Sequence, residues 1–453
     1  MVKQFLTACL ISASALLHAQ QSDEAVFRSI FDETMLHGEA YDNLHYLCKN
    51  IGHRLAGSPQ ADMAVRWSYQ LMQQYDFDTV WLQEVTVPHW VRGEKEYGEV
   101  MNHGQVNMLA LGGSIATPLS GIIEEVIEVK DFDELKALGA DKVRGKIVFF
   151  NHVFPQNVVN SFDGYGLAGP YRWRGANEAS KLGAKAVIIR SVGSAHDDFA
   201  HTGSTGFDKD VTKVPCAALS AIDADFLHAA LQKEPDLKFK MIMNCKMLDS
   251  VTSYNVIAEI KGSVFPNEII VVGGHLDSWD VNEGAHDDGA GVVQTIEVLR
   301  AFVALGFKPK HTIRFVLFAN EENGTRGANK YAEEAKAKNE KHIFALESDA
   351  GGFTPRGFGF GVNDTVWNKI YTWRNLFKPY GGDDFVKGGG DADIDPLHEM
   401  FNTPVAGLRP DTQRYFDVHH AVSDVFEAVN IRELKLGAIN MAALLYIVDK
   451  YGL

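Results

Sequence analysis

The chain has 453 residues, 46% hydrophobic, 23% charged and 11% aromatic. That is material for roughly two or three domains with substantial cores, and it excludes a disordered or low-complexity protein. Lys and Arg total 43 against 59 Asp and Glu, a formal net charge of −16, so neither nucleic acid nor an anionic membrane surface is an expected partner.

Residues 1–19 read as a signal peptide. Met1-Val2-Lys3 supplies a positive start, residues 5–17 are mostly apolar, and Ala19 offers a small residue for cleavage before Gln20. The apolar run falls short of the roughly 20 residues that cross a bilayer, and no later run is longer. The mature protein is therefore expected to be soluble, without membrane insertion, in the periplasm or outside the cell. Cleavage would remove Cys9 and leave Cys48, Cys216 and Cys245. These are too few for a disulfide framework and wrongly spaced for a thiolate zinc site, with room for one bridge at most.

Residues 20–112 form the N-terminal part of the main domain. A turn-rich loop at 51–59 precedes a helical apolar pattern at 61–75, carried by Met63, Val65, Trp67, Leu71 and Met72, and a strand at 77–85. Residues 113–245 read as an inserted, β-rich domain. Strands are expected at 121–129, 145–150, 184–190 and 214–220, with one helix at 176–182. The segment lacks clusters of ionisable residues, so it is expected to be a lid or substrate wall. Residues 246–453 complete the main domain. Strands at 268–273, 312–319 and 342–346 alternate with helices at 289–305 and 327–338, and a helix at 431–450 closes the chain. This alternation predicts an α/β fold, a mixed central sheet with helices on both faces.

In such sheets ligands bind beyond the carboxyl ends of the strands, and the polar residues of this chain gather there. One strand ends in His275-Leu276-Asp277, the next in Glu321-Glu322 and the third in Glu347-Ser348-Asp349. A loop carries His286-Asp287-Asp288-Gly289-Ala290-Gly291 immediately before a helix, and another carries His419-His420 ahead of Asp424. Desolvating several carboxylates together is unfavourable unless cations neutralise them. A pair of divalent metals would do so. The oxygen and nitrogen donor set without sulfur suits zinc, with manganese and cobalt as alternatives.

This series of motifs resembles that of the co-catalytic zinc exopeptidases, the leucyl aminopeptidase and glutamate carboxypeptidase type. Tyr415-Phe416-Asp417-Val418-His419-His420 is most similar to the carboxypeptidase Q branch. The resemblance runs from about residue 45 to the C-terminus, and the inserted segment resembles a protease-associated domain. It implies the zinc exopeptidase fold and two zinc ions per chain. His275 and Asp349 would bind one, Glu322 and His420 the other, and Asp287 would bridge them. Asp277 would orient His275, and Glu321 would be the general base. Some relatives carry Tyr immediately before the last zinc-binding His. Here His419 stands in that place and would donate to the oxyanion, or would itself be the ligand instead of His420.

The resemblance implies hydrolysis of terminal peptide bonds in dipeptides or short peptides, from either the amino or the carboxyl end. A peptide is the expected partner, and a homodimer is allowed. Trp279 and Asp280 are expected to line the entrance. A single-zinc acyltransferase like glutaminyl cyclase and a non-catalytic receptor-like relative are the alternatives. The second would be expected to lack ligands, and here every position is filled.

Overall fold

The computed structural model describes residues 22–75 and 78–453. The leader read at 1–19 lies outside the described residues.

The main sheet has eight strands, in the order Thr79–Val91, Lys246–Ile260, His311–Phe318, Phe265–His275, Lys341–Glu347, Val405–Pro410, Pro355–Gly361 and Asp384–Lys387. The four from His311–Phe318 to Val405–Pro410 run parallel, with antiparallel pairing on both flanks. The mixed α/β architecture is the one the alternation predicts. Both faces of the parallel strands are buried. Ile270 and Val272 pack under Ala290–Ala304 and Ile431–Tyr451, whereas Ile269 and Val271 pack with Tyr331 and Ala335 on the opposite face. Side chains alternate across a strand, so a strand covered on both sides needs a continuous apolar run. The covering helices differ accordingly. Ala290–Ala304 is buried almost all round, while Arg326–Ala337 buries only the stripe Gly327, Ala328, Tyr331, Ala332 and Ala335.

The chain leaves Phe265–His275, crosses through Ala290–Ala304 to His311–Phe318 on one side, and returns through Arg326–Ala337 to Lys341–Glu347 on the other. The strand order therefore reverses at Phe265–His275, which opens a crevice at its carboxyl end.

A second eight-stranded sheet is drawn from residues 97–242, and it recruits residues 97–110 ahead of the segment read as inserted. Its strands Ile122–Val129, Ile147–Phe150, Ala186–Arg190 and Cys216–Leu219 are parallel. Parallel neighbours require crossovers, and the segment holds helices Phe132–Val143, Ser161–Trp173, Gly175–Lys181 and Ala221–Leu231. The sequence pattern understates these helices. Phe132–Val143 is interrupted at Gly139, and Ser161–Trp173 contains three glycines and Pro170, all weak helix formers.

The second unit is sealed by residues of the main domain. One of its cores includes Trp279 together with Leu55 and Trp90, and the other includes Phe353, Tyr415, Phe416 and Val418. Cys48, Cys216 and Cys245 are all buried and unbridged. Among the described residues no helix is long and apolar enough to cross a membrane.

Candidate metal centre and active site

His275 is the last residue of the strand at which the order reverses. Its backbone N–H donates to Asp288 Oδ2 at 3.0 Å, and Gly291 N–H donates to Asp288 Oδ1 at 2.9 Å. One carboxylate thus ties the strand end to the start of the next helix. The approach is close enough to require glycine: a Cβ on Gly291 would stand 1.9 Å from Ser348 O and 2.4 Å from Asp288 Oδ2. The intervening loop is held by Arg54, fully buried, whose guanidinium donates to the carbonyls of Leu276, Glu283 and Gly284. Asp424 accepts from the N–H groups of His286 and Asp287 at 2.8 and 3.2 Å and so fixes where Asp287 points. The Asp287–Asp288 peptide is cis.

The two neighbouring glutamates follow Asn320, whose left-handed φ of 66° turns the chain at the strand end. Glu321 N–H and Glu322 N–H donate to the two oxygens of Asp277 at 3.0 and 3.3 Å. His275 Nδ1 lies 3.1 Å from the Asp277 backbone carbonyl and 3.7 Å from its carboxylate. Residue 277 therefore orients the imidazole through its main chain and the Glu321-Glu322 turn through its side chain.

These supports bring the predicted residues together around Asp287. His275 Nε2 is 3.3 Å from Asp287 Oδ1 and 3.4 Å from Asp349 Oδ1. On the other side, His420 Nε2 is 3.2 Å from both Asp287 Oδ2 and Glu322 Oε2. Glu321 Oε2 stands further back, 4.0 Å from His275 Nε2. His419 Nε2 is 3.6 Å from Asp287 Oδ2, and its ring stacks on that of His420 with centroids 3.6 Å apart. Two three-residue groups could each hold an ion: His275, Asp287 and Asp349, and Asp287, His419 and His420. His419 therefore stands inside the cluster.

The second unit holds the His419-His420 end. Thr202 N–H donates to the His420 carbonyl at 3.0 Å, the Thr202 carbonyl lies 3.3 Å from His420 Nδ1, and His201 Nδ1 lies 2.7 Å from the His419 carbonyl. Arg172 Nη1 is 3.3 Å from His420 Nδ1. His420 has a positive φ of 62°, a conformation uncommon for a residue with a Cβ and held here by its surroundings. Donation from Nδ1 to the Thr202 carbonyl would leave Nε2 its lone pair, the tautomer a metal requires, whereas the Arg172 guanidinium, a donor only, favours the lone pair on Nδ1.

Charge is crowded here. Burial lowers the His275 imidazole, but Asp349, with Asp277 and Asp287, holds it well above its ordinary value. Burial raises Asp287, but contact with His275 and His420 holds it well below the carboxylate range. Burial, and then the charge of Asp287, drives Glu322 well up. Glu321 is pushed up to about 8, first by burial, with Asp349 and Asp277 adding to it against His275. Burial pushes His420 down to about 4.

The residues fit divalent cations. His275 Nε2, Asp287 Oδ2, Glu322 Oε1 and Asp349 Oδ1 are buried without a hydrogen-bond partner in the protein. Each would cost about 1–3 kcal/mol if left so, and all four belong to predicted ligands. Imidazole nitrogens and carboxylate oxygens in this number suit zinc.

One further expectation is corrected. Trp279 is fully buried and packs edge-on to Trp90 and His420, so it does not line an entrance. Asp280 is engaged by Arg92 at 2.6 Å. His286 stacks on Phe353 and accepts from Gly352 N–H, a packing role. Sequence reasoning assigned no role to Arg54 or Asp288, or to a group of acids behind Asp349 formed by Glu347, Asp391 and Asp393. Asp393 and Ile394 donate their backbone N–H groups to Glu347 Oε2.

Residues 255–445 match the family model for Peptidase family M28. Carboxypeptidase Q of Mus musculus is 35% identical over 412 residues, 90% of this chain and 85% of that protein. A crystal structure of a Peptidase M28 precursor from Shewanella amazonensis SB2B superposes with a TM-score of 0.89 at 34% identity, covering 95% of this chain and 97% of that one. A zinc aminopeptidase from Bacillus subtilis shares the fold, with a TM-score of 0.65 at 21% identity over 91% of this chain and 96% of its own.

Proposed function

The chain belongs to peptidase family M28, and from that premise we propose that it is an exported two-zinc exopeptidase of the carboxypeptidase Q kind. It hydrolyses terminal peptide bonds of dipeptides or short peptides. The observation that carries this reading is the sharing of Asp287 between His275 and Asp349 on one side and His420 on the other. Two groups meeting at one carboxylate support two ions per chain over the single zinc of a cyclase. Export rests on the leader at residues 1–19, and recovery of the mature N-terminus outside the cytoplasm tests it.

His275 and Asp349 would hold one zinc, Glu322 and His420 the other, with Asp287 between them. Bound zinc polarises a carbonyl and brings the pKa of water from 15.7 towards about 7. Glu321 is held beside the ligands by the Asp277 strap but has no ligand partner of its own. Its carboxylate is therefore free to take a proton from the attacking water and return it to the leaving amine, a role typically worth about 10²–10⁴-fold. His419 Nε2 faces the same space and would donate to the oxyanion, and unchanged kcat/KM in His419→Ala would remove that role.

A panel of dipeptides and tripeptides, free or blocked at either end, tests the function with and without chelator. Hydrolysis from an end only, lost on chelation and regained with zinc, is the expected result. Cleavage undiminished in metal-stripped protein, or cleavage within longer chains, would overturn the reading.

A further inference from the structure

Arg172 belongs to the helix Ser161–Trp173 of the second unit and is 5% exposed. Among the described residues no carboxylate pairs with it. Its Nη2 donates to the Tyr165 hydroxyl, its Nε has no partner in the protein, and its Nη1 lies 3.3 Å from His420 Nδ1. The guanidinium carbon sits 5.2 and 5.7 Å from the ring centres of Tyr165 and Trp173. Gly203 makes room for it, since a Cβ there would stand 2.6 Å from that carbon. A buried guanidinium without a carboxylate is costly, and a lone pair on His420 Nδ1 would give Nη1 an acceptor.

The two predicted zinc positions have matching donors, one imidazole and one carboxylate each beside the shared Asp287. The backs of their imidazoles differ. A neutral imidazole has one N–H and one lone pair, and the partner of one nitrogen decides whether the other is free for a metal. His275 Nδ1 lies 3.1 Å from the Asp277 carbonyl, an acceptor that suits a proton on Nδ1 and leaves Nε2 ready. His420 Nδ1 lies 3.3 Å from both the Thr202 carbonyl and the Arg172 guanidinium. The carbonyl favours a proton there, and the guanidinium favours a lone pair. The other end of the ring tips the balance. His420 Nε2 lies 3.2 Å from Asp287 Oδ2 and from Glu322 Oε2, and a carboxylate favours an N–H over a lone pair.

We propose that Arg172 is a positioning residue that opposes a metal at His420. It holds the metal-free imidazole with its lone pair on Nδ1 and its proton on Nε2. A cation at Nε2 requires that proton to move to Nδ1, where it turns to the Thr202 carbonyl, and Arg172 loses its acceptor. The proton changes nitrogen within one ring, so none is gained or lost. The second unit thereby sets how readily the position at His420 fills, and the position at His275 meets no such opposition. The effect on zinc rests on the two-zinc reading, whereas the tautomer belongs to the metal-free chain.

Long-range proton–nitrogen NMR of the metal-free protein, isotope-labelled at histidine, reads the tautomer, with the His420 signals identified by their loss in His420→Gln. The proton is expected on Nε2 in wild type and on Nδ1 in Arg172→Met. The wild-type tautomer decides even where Arg172→Met fails to fold. Zinc affinity is measured by chelator competition. Wild type should take two zinc ions, and the weaker step should be the one lost in His420→Gln. Arg172→Met should tighten that step roughly ten- to hundredfold, the range of one charge-assisted hydrogen bond, and leave the stronger step unchanged. Arg172→Lys keeps a charged donor and should stay near wild type. A residue that merely supported the fold would weaken zinc binding when replaced. A proton on Nδ1 in metal-free wild type, or a step unchanged or weakened in Arg172→Met, would overturn the proposal. One zinc ion per chain alongside the expected tautomer would instead count against the two-zinc reading.

Discussion

The two sheets are built alike and used differently. Each has a run of four parallel strands linked by helices. In the main sheet three of the four run into histidine or carboxylates at one end: His275, Glu321-Glu322 and Asp349. In the second sheet the corresponding ends run into Lys130-Asp131, Asn151, Ser191 and Ser220, and among the described residues neither candidate metal group includes any of them. The second unit reaches the chemistry from behind instead, through Thr202, His201 and Arg172 at the back of His419 and His420. Parallel architecture offers a crevice, and only the residues at the strand ends make it a site.

The comparison breaks most sharply at Glu321. Glu321→Gln should keep its metal and lose turnover by about 10²–10⁴-fold, measured as kcat beside zinc content. A loss confined to metal binding would make it a ligand. Next is Trp279, which closes a core of the second unit from within the main domain. Trp279→Ala should cost about 3–5 kcal/mol in urea unfolding, with a single transition if the units unfold together. Two separated transitions would show units joined more loosely than this packing implies.

A smaller effect concerns pH. In the metal-free chain burial pushes Glu321 and Glu347 up to about 8 and Asp424 up to about 7. Between the unfolded carboxylate range, about pH 4, and these values the folded chain binds more protons than the unfolded one. Metal-free stability should therefore fall as pH rises through that window. Zinc loading should flatten the decline, because ions then neutralise charge that protons had neutralised. Melting curves from about pH 5 to 8.5, with and without zinc, check the sign. The smallest expected effect is at His201. His201→Ala removes one hydrogen bond to the His419 carbonyl, and about 1 kcal/mol, or roughly fivefold in zinc affinity, is the expected scale. A loss as large as that of a direct ligand would give the second unit a heavier role.

The main sheet was legible because its strands are apolar on both faces and its helices keep a 3.6-residue period, as in Arg326–Ala337. The predicted ligands were legible because each follows a recognisable strand or precedes a helix, and the structure gathers them around Asp287. The helices of the second unit were not, since glycine and proline interrupt Ser161–Trp173 and hide its period. Nor were the supports. Asp288 and Asp424 act by accepting backbone N–H groups, and Arg54 by donating to three carbonyls. Such roles depend on where distant main chain passes and leave no local pattern. Trp279 follows a ligand in sequence, yet its indole is taken up by a core of the second unit, with partners from Leu55 to Cys245, which adjacency to a site does not reveal.

Asp287 as the carboxylate common to two cations is tested most directly by anomalous diffraction at the zinc edge from crystals of the loaded protein. Two peaks are predicted, one among His275, Asp287 and Asp349 and one among Asp287, Glu322 and the His419-His420 pair. A single peak, or two peaks of which only one touches Asp287, would contradict it.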